Sequence, residues 1–348
     1  MAEAQIPESE LVLAATNLYA APVRGAATPF VGKGDLVAIL VDGPGERMGK
    51  ALRNAAHARG AEPLLVLLDR SAGPLKVLPD EARAAVVRAQ ASIFVARAPN
   101  AERSMREQVA ALVRANKSRH ARLTDVTDFA FARGLAVPVA ATVAAGRDLH
   151  GRLKSTRLVE VTSPAGTDLQ VSVTPNTWAD RIGEVVAGST VTFPAGTLFT
   201  TPDSIDGIFV ADASLGEFFG EREGLLEEKQ VRFEIEASRV VNVTCPNAPA
   251  LESQVRATLA LSENSNRVGL VAVGVNPGVR AATGDASVDQ TMPGLHIGLG
   301  DPGGKSTIAS FSARTAFPAC QSRSRVVVDG RVVVDGGVLS PSLVPEKR

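Results

Sequence analysis

The chain has 348 residues, 45% of them hydrophobic, enough for two domains of ordinary size, each with its own core. Its 37 basic residues balance 37 acidic ones, so net charge predicts no nucleic-acid or membrane partner. Aromatics are only 4%, with one Trp and one Tyr, which argues against a base-stacking platform. Glycine and proline together make up about 15% of the chain, near the ordinary average of ~12%, which excludes collagen-like structure and argues against disorder.

Cys245 and Cys320 form no disulfide framework, no CxxC pair and no zinc-finger spacing, and a reducing compartment is the simplest fit. The opening stretch MAEAQIPESE is acidic and no apolar run follows it, which reads as the absence of a secretory signal. No window approaches 18 uninterrupted apolar residues. A soluble, cytoplasmic protein is expected.

The first ~150 residues alternate strand-like and helix-like segments. Residues 35–41 are a short, β-branched apolar run closed by Asp42-Gly43-Pro44-Gly45, the pattern of a buried parallel strand ending in a loop. Residues 46–59 carry Met48, Ala51, Leu52, Ala55 and Ala56 at helical spacing, and Gly60 stops them. Strands are expected at 64–68 and 92–96, and helices at 81–90 and 102–116. This alternation implies a doubly wound α/β domain over residues 1–150, with a parallel sheet covered on both faces.

From about residue 150 the composition changes to strand-rich. Residues 158–162 and 169–173 flank a Ser163-Pro164-Ala165-Gly166 turn as a hairpin, and further strands are expected at 208–211, 231–235 and 268–273. Residues 326–334 form a hairpin about Asp329-Gly330, and one helix, 250–261, interrupts this half. The second domain, 151–348, is therefore α+β and mostly antiparallel.

Few motifs carry chemistry on their own. The run from Gly298 to Ser306 lacks the first glycine of a phosphate loop, because position 299 is Leu, and no amphipathic helix follows it. Asp42-Gly43-Pro44-Gly45 ends the first strand of a doubly wound domain, where ligands often bind, but it is not GxGxxG. Pro44 also removes a backbone donor, so a tight turn is favoured over a dinucleotide site. No GxSxG elbow is present. Of the four histidines, His57 and His120 read as surface residues and His150 lies in the interdomain stretch. His296, between Leu295 and Ile297, reads as a buried, hydrogen-bonded strand histidine unless other residues join it.

Four segments, in order over roughly 155–337, resemble the aminopeptidase T family of metallopeptidases (family M29), to which 2,5-dihydroxypyridine dioxygenases are similar. They are Gly166-Thr167-Asp168-Leu169, the run from Pro194 to Pro202, the run from Val268 to Gly278, and His296-Ile297-Gly298-Leu299-Gly300. The resemblance implies a C-terminal aminopeptidase T-like domain, a substrate cleft for a peptide or small aromatic molecule, and a homodimer.

It also marks departures. Where the family places metal-binding glutamates, this chain has Thr197 and Gly269-Leu270. The family's H-x-D pair is expected near Phe311 and Ala313, no histidine follows His296, and the only tyrosine is Tyr19. One imidazole cannot hold a divalent ion that needs three or four ligands. The expectation is no metal, no cofactor and a neutral cleft touched by His296, Thr197, Leu270, Phe311 and Arg314. That implies a non-catalytic, peptide-binding protein, an accessory in peptide modification or peptide natural-product biosynthesis. Two alternatives stand beside it. One is a metal-independent enzyme acting on a small amide, with His296 as general base and Asp301 as its orienter. The other is an aminopeptidase or ring-cleaving dioxygenase whose ligands are other carboxylates.

Overall fold

A computed structural model of the chain describes residues 6–303 and 307–341. Helix α1 (Glu8–Tyr19) buries Leu11, Ala14, Ala15, Leu18 and Tyr19, one stripe at helical spacing, and the Tyr19 hydroxyl donates to the Leu52 carbonyl at 2.9 Å. Strand β1 (Leu36–Val41) is apolar throughout and nearly all buried, as a central parallel strand must be. Then follow α2 (Glu46–Ala58), β2 (Glu62–Leu67), α3 (Asp80–Arg88), β3 (Ala91–Ala96), α4 (Arg103–Asn116), β4 (Arg119–Thr124), α5 (Asp128–Gly134) and α6 (Val139–Leu153). The Thr127 hydroxyl caps α5 by accepting the Ala130 N–H at 3.1 Å.

Two compact units result, and the division falls within α6. The first holds the described residues up to Val143 together with Gly183–Ala195, and the second holds Ala144–Ile182 and the described residues from Gly196 on. In the first unit, β2, β1, β3 and β4 lie side by side and parallel. Ala38, Leu40, Phe94 and Ala96 cluster with Ala82, Val86, Met105, Val109 and Val113, so α3 and α4 cover one face. Strand neighbours of Ala38 and Leu40 point the other way. There Gly49 of α2 lies so close to the sheet that a Cβ on it would sit 2.6 Å from Val41 Cγ1.

The second unit begins with the hairpin β5 (Leu158–Thr162) and β6 (Asp168–Ser172), then β7 (Ala179–Arg181). The chain next supplies β8 (Thr190–Thr192), which pairs with β4 as the edge strand of the parallel sheet in the first unit. It returns as β9 (Thr197–Thr200), β10 (Ser204–Ala211), β11 (Ser214–Leu215), α7 (Gly216–Glu223), β12 (Val231–Glu236), β13 (Arg239–Thr244) and α8 (Pro249–Leu259). Last come β14 (Val268–Gly274), α9 (Ala286–Asp289), β15 (Gly294–Gly300), β16 (Ala316–Cys320), β17 (Arg325–Val328), β18 (Arg331–Asp335) and β19 (Val338–Leu339). Among the described residues, one antiparallel sheet has the order β13-β12-β10-β6-β5-β17-β18-β19 and the other β11-β16-β15-β14-β9-β7.

The fold class is therefore mixed α/β, a parallel sheet in one unit and antiparallel sheets in the other. Two expectations need correction. This half has α7 and the short α9 besides α8, and His120 is not a surface residue. It lies on β4 opposite Ser92 of β3, only 3% exposed, with Nδ1 hydrogen-bonded to the Ser92 hydroxyl at 2.8 Å. Arg119 and Arg122 gave β4 a polar look, yet a strand flanked by two others buries the residues between. No single helix among the described residues is long and apolar enough to cross a membrane.

Candidate functional site

The sequence-singled residues gather on the sheet that contains β9, β14 and β15. Its register places Phe199 opposite Ala272 and Ala272 opposite His296, with Thr197 opposite Gly274 and Leu270 opposite Gly298. Residues directly opposite in a ladder share a face, as do residues two apart on one strand. Thr197, Phe199, Leu270, Ala272 and His296 therefore lie on one face. The other face carries Leu198, Val271, Val273, Leu295, Ile297 and Leu299, all essentially buried; Thr197, Phe199, Ala272 and His296 are buried as well, and of the five on their face Leu270 is the half-buried one. Thr197 and His296 are separated by two strand spacings, ~10 Å across the sheet.

His296 is fully engaged within the protein. Its Nε2 lies 2.9 Å from the Met292 carbonyl and its Nδ1 3.4 Å from the Gln321 N–H. A carbonyl only accepts and an amide N–H only donates, so Nε2 carries the proton and Nδ1 is the acceptor, which is the neutral ring. Burial pushes its pKa down to about 4, with the Met292 bond opposing. The bonding continues outward. Gln321 donates from Nε2 to the Leu295 carbonyl at 2.7 Å and accepts from the Thr167 hydroxyl at 2.8 Å. That hydroxyl in turn accepts the Val210 N–H at 3.0 Å. Next along the chain, Ser322 donates its N–H at 2.6 Å and its hydroxyl at 2.8 Å to Asp212. Burial raises the Asp212 carboxyl against those two bonds.

The other two binding candidates lie elsewhere. The Phe311 ring stacks with the Arg267 guanidinium, 4.1 Å to the centroid, and the Arg314 N–H donates to the Ser262 hydroxyl at 3.2 Å. Both belong to the loop before β16, pinned at the Arg267 end of β14. His296 is level with Ala272, ~17 Å further along that strand. Asp301 is committed to the same loop. Its Oδ1 accepts the Gly303 N–H at 2.9 Å and its Oδ2 the Ala313 N–H at 3.3 Å, so it does not orient His296. The phosphate-loop residues 304–306 lie outside the described residues.

Sequence reasoning missed Gln321 as a neighbour of this network and left open whether Asp212 lines the cleft. Thr167 was noted only as part of a hairpin motif, and nothing in its spacing points to a partner 154 positions away. In the third motif, Asn276 makes a local turn by accepting the Gly278 N–H at 3.0 Å. Asp289 is likewise a loop organiser. It is fully buried and accepts from the Thr283 N–H and hydroxyl, both at 2.7 Å, and the Gly284 N–H at 3.1 Å. Burial raises its carboxyl despite those bonds.

The chain shares its fold with two solved structures. One is a 2,5-dihydroxypyridine dioxygenase from Pseudomonas putida KT2440, with a TM-score of 0.64 and 16% identity over 98% of this chain and 99% of that one. The other is wild-type AmpT from Thermus thermophilus, an M29 aminopeptidase T, with a TM-score of 0.58 and 16% identity over 95% and 99%. No protein-family model matches the chain, and no curated protein matches it by sequence.

At the positions where the resemblance leads one to expect a metal, Thr197 and Leu270 carry no charge. Thr197 offers a neutral hydroxyl, Leu270 nothing, and both His296 nitrogens are bonded to the protein's own backbone. Among the described residues, no three His, Cys, Asp or Glu side chains converge as ligands would.

Proposed function

We propose that this is a non-catalytic binding protein with an aminopeptidase T-like fold. It takes a peptide or small molecule on the sheet face that carries Thr197, Phe199, Leu270 and His296. The observation that carries the reading is the engagement of His296. Its proton points at the Met292 carbonyl and its lone pair receives the Gln321 N–H, so neither nitrogen is offered to a metal or a substrate. A general base needs a free lone pair within reach of the proton it takes, which also counts against the metal-independent enzyme. Half-buried Leu270, buried Phe199 and the Arg181 guanidinium 4.4 Å over the Phe199 ring give the face an apolar character with a cation at its edge. A peptide side chain would reach this face at Leu270, its half-buried member.

The same proposal includes a cytoplasmic homodimer that serves as an accessory in peptide modification or peptide natural-product biosynthesis. Its first test is the metal content of the purified, chelator-free protein, with calorimetric titration of Zn²⁺, Mn²⁺ and Fe²⁺. No bound metal and no saturable heat is the expected result. Stoichiometric metal, or tight saturable binding that His296→Ala abolishes, would overturn the reading and restore a peptidase or dioxygenase assay.

A further inference from the structure

The first unit contains a crevice that the reading above does not use. Strand β1 sits between β2 and β3, so the chain leaves β1 to one side and comes back to the other. At such a reversal the loops beyond the strand ends diverge and leave a cleft. Here the cleft is a cavity of about 390 Å³, and the residues that define its chemistry are Asp42, Pro44, Leu68, Asp69, Arg70 and Arg97. That volume is within the range of small-molecule pockets.

Its floor is built from charge. Arg70 donates from Nε and Nη2 to the two oxygens of Glu102, each at 2.7 Å, and from Nη2 to the Arg97 carbonyl at 2.8 Å. Its Nη1 donates to Asp42. Glu102 is fully buried and Asp42 is 3% exposed. Arg70 is thus spent on the protein's own carboxylates and is not available to clamp an anion. The start of α2 is closed to anions as well. Asp42 Oδ1 accepts the Gly45 N–H at 2.9 Å, Pro44 has no N–H, and Glu46 places a carboxylate in the first turn. The cavity lining itself carries two carboxylates, Asp42 and Asp69, against two guanidinium groups, one of them already spent, so a phosphate is disfavoured.

What the cleft does offer is a fixed, exposed acceptor beside apolar walls. Asp69 stands just beyond β2, and its Oδ1 and Oδ2 accept the Ser71 N–H at 2.8 Å and the Ser71 hydroxyl at 3.1 Å. Each oxygen keeps a further lone pair directed to solvent. A carboxylate at the end of the second strand of a βαβ unit is placed to accept from a ribose 2′-hydroxyl, and its second oxygen can take the adjacent 3′-hydroxyl. Close packing of α2 on β1 at Gly49 completes that unit. Leu67, an apolar side chain 60% exposed, and Leu68 line the same cavity, and the exposed Arg97 guanidinium at its rim has the planar shape that stacks on a base.

We propose that this crevice binds a ribonucleoside, held by its 2′,3′-diol on Asp69 and carrying no 5′-phosphate. The site lies wholly within the first unit and stands or falls independently of the sheet face of the second.

Isothermal titration of the full-length protein with adenosine, guanosine, cytidine and uridine tests it, alongside 2′-deoxyadenosine, AMP and Asp69→Ala. At least one ribonucleoside should saturate a single site, the 2′-deoxy form should bind about tenfold more weakly or worse, and AMP more weakly than adenosine. Asp69→Ala should lose the ribose preference while its unliganded melting temperature stays that of the wild type, because Asp69 is exposed and its hydrogen bonds run to its near neighbour Ser71. Absence of binding by all four ribonucleosides at millimolar concentration would overturn the proposal. So would equal affinity for ribo and 2′-deoxy forms, tighter binding of AMP than adenosine, or affinity that Asp69→Ala leaves unchanged.

Discussion

His296 and Gln321 are joined through Nδ1 and a backbone N–H at 3.4 Å, although 25 positions of sequence separate them. That contact gives the loop after β16 a fixed place beside β15, and the Gln321 side chain extends it to Thr167, ahead of β6 in the other antiparallel sheet. The histidine that its sequence setting marks as buried and hydrogen-bonded in a strand thereby acts as a joint between strands. The chemistry that remains on its face belongs to its neighbours.

This joint predicts a pH dependence. Burial lowers the pKa of both His296 and His120 to about 4, well below the value of 6.5 ordinary for an unfolded chain. The unfolded state then binds more protons than the folded one between those values. The histidines' contribution is complete above pH 6.5 and is lost as the pH falls toward 4, at up to ~1.4 kcal/mol per pH unit for each ring. Urea unfolding at pH 7 and pH 5 should show a clear fall in the midpoint. His120→Gln and His296→Gln should each flatten that fall. A midpoint that stays level from pH 7 to 5 would contradict both placements.

Gln321→Ala leaves the Leu295 carbonyl and the Thr167 hydroxyl without their partner, both in buried surroundings. A cost of ~1–3 kcal/mol is expected from orphaned polar groups. Thr167→Val removes the hydroxyl that both donates to Gln321 and accepts from Val210. Because the two residues share one network, the double variant should cost less than the separate losses combined, by ~0.5 kcal/mol or more in chemical denaturation. Strict additivity would show that the network is not coupled.

At Gly274, opposite Gly294 in the ladder, a Cβ would overlap the Met292 carbonyl oxygen, the same oxygen that accepts from His296 Nε2. The obstacle is backbone, with no flexible side-chain end to yield. Gly274→Ala should therefore separate β14 from the turn before β15 and cost ~1–3 kcal/mol or more. The carbonyl would be displaced from His296. In NMR, the His296 ring should then lose its single, pH-insensitive neutral tautomer above pH 5. A stable variant with an unchanged His296 signal would count against this packing.

How much of this was legible beforehand depended on whether the signal was local. β1, α2, β3 and α4 were readable because their own apolar residues follow strand or helix spacing. α1 was passed over although its stripe of Leu11, Ala14, Ala15, Leu18 and Tyr19 is regular, since no strand precedes it to set a βα rhythm. β4 and β8 were hidden for a different reason. Arg119-His120-Ala121-Arg122 and the three residues Thr190–Thr192 are strands only because of what they pair with. The site divided in the same way. Thr197, Leu270 and His296 fell on one face because each sits in a strand whose motif fixed its parity. Phe311 is placed only by counting across a loop, and Arg314 only as a cation of the same segment; loop length carries no register.

The ion network of the first unit yields the last prediction. Burial alone would raise the Glu102 carboxyl, yet the Arg70 bonds and the Leu75 N–H hold it below the usual carboxylate range. A depressed carboxyl contributes stability at neutral pH that disappears as the pH falls through its folded value. Arg70→Met strips Glu102 and Asp42, two buried charges, of the guanidinium that pairs with both, which should cost ~3–5 kcal/mol at pH 7. The loss should shrink at pH 5, where the Glu102 carboxyl, no longer held down, takes up a proton. Arg70→Lys keeps the charge but cannot span both Glu102 oxygens while reaching Asp42, so it should recover only part of the stability. Urea midpoints for the two variants at both pH values measure this directly. Full rescue by lysine would mean that net charge, and not the forked geometry, holds the floor of the crevice together.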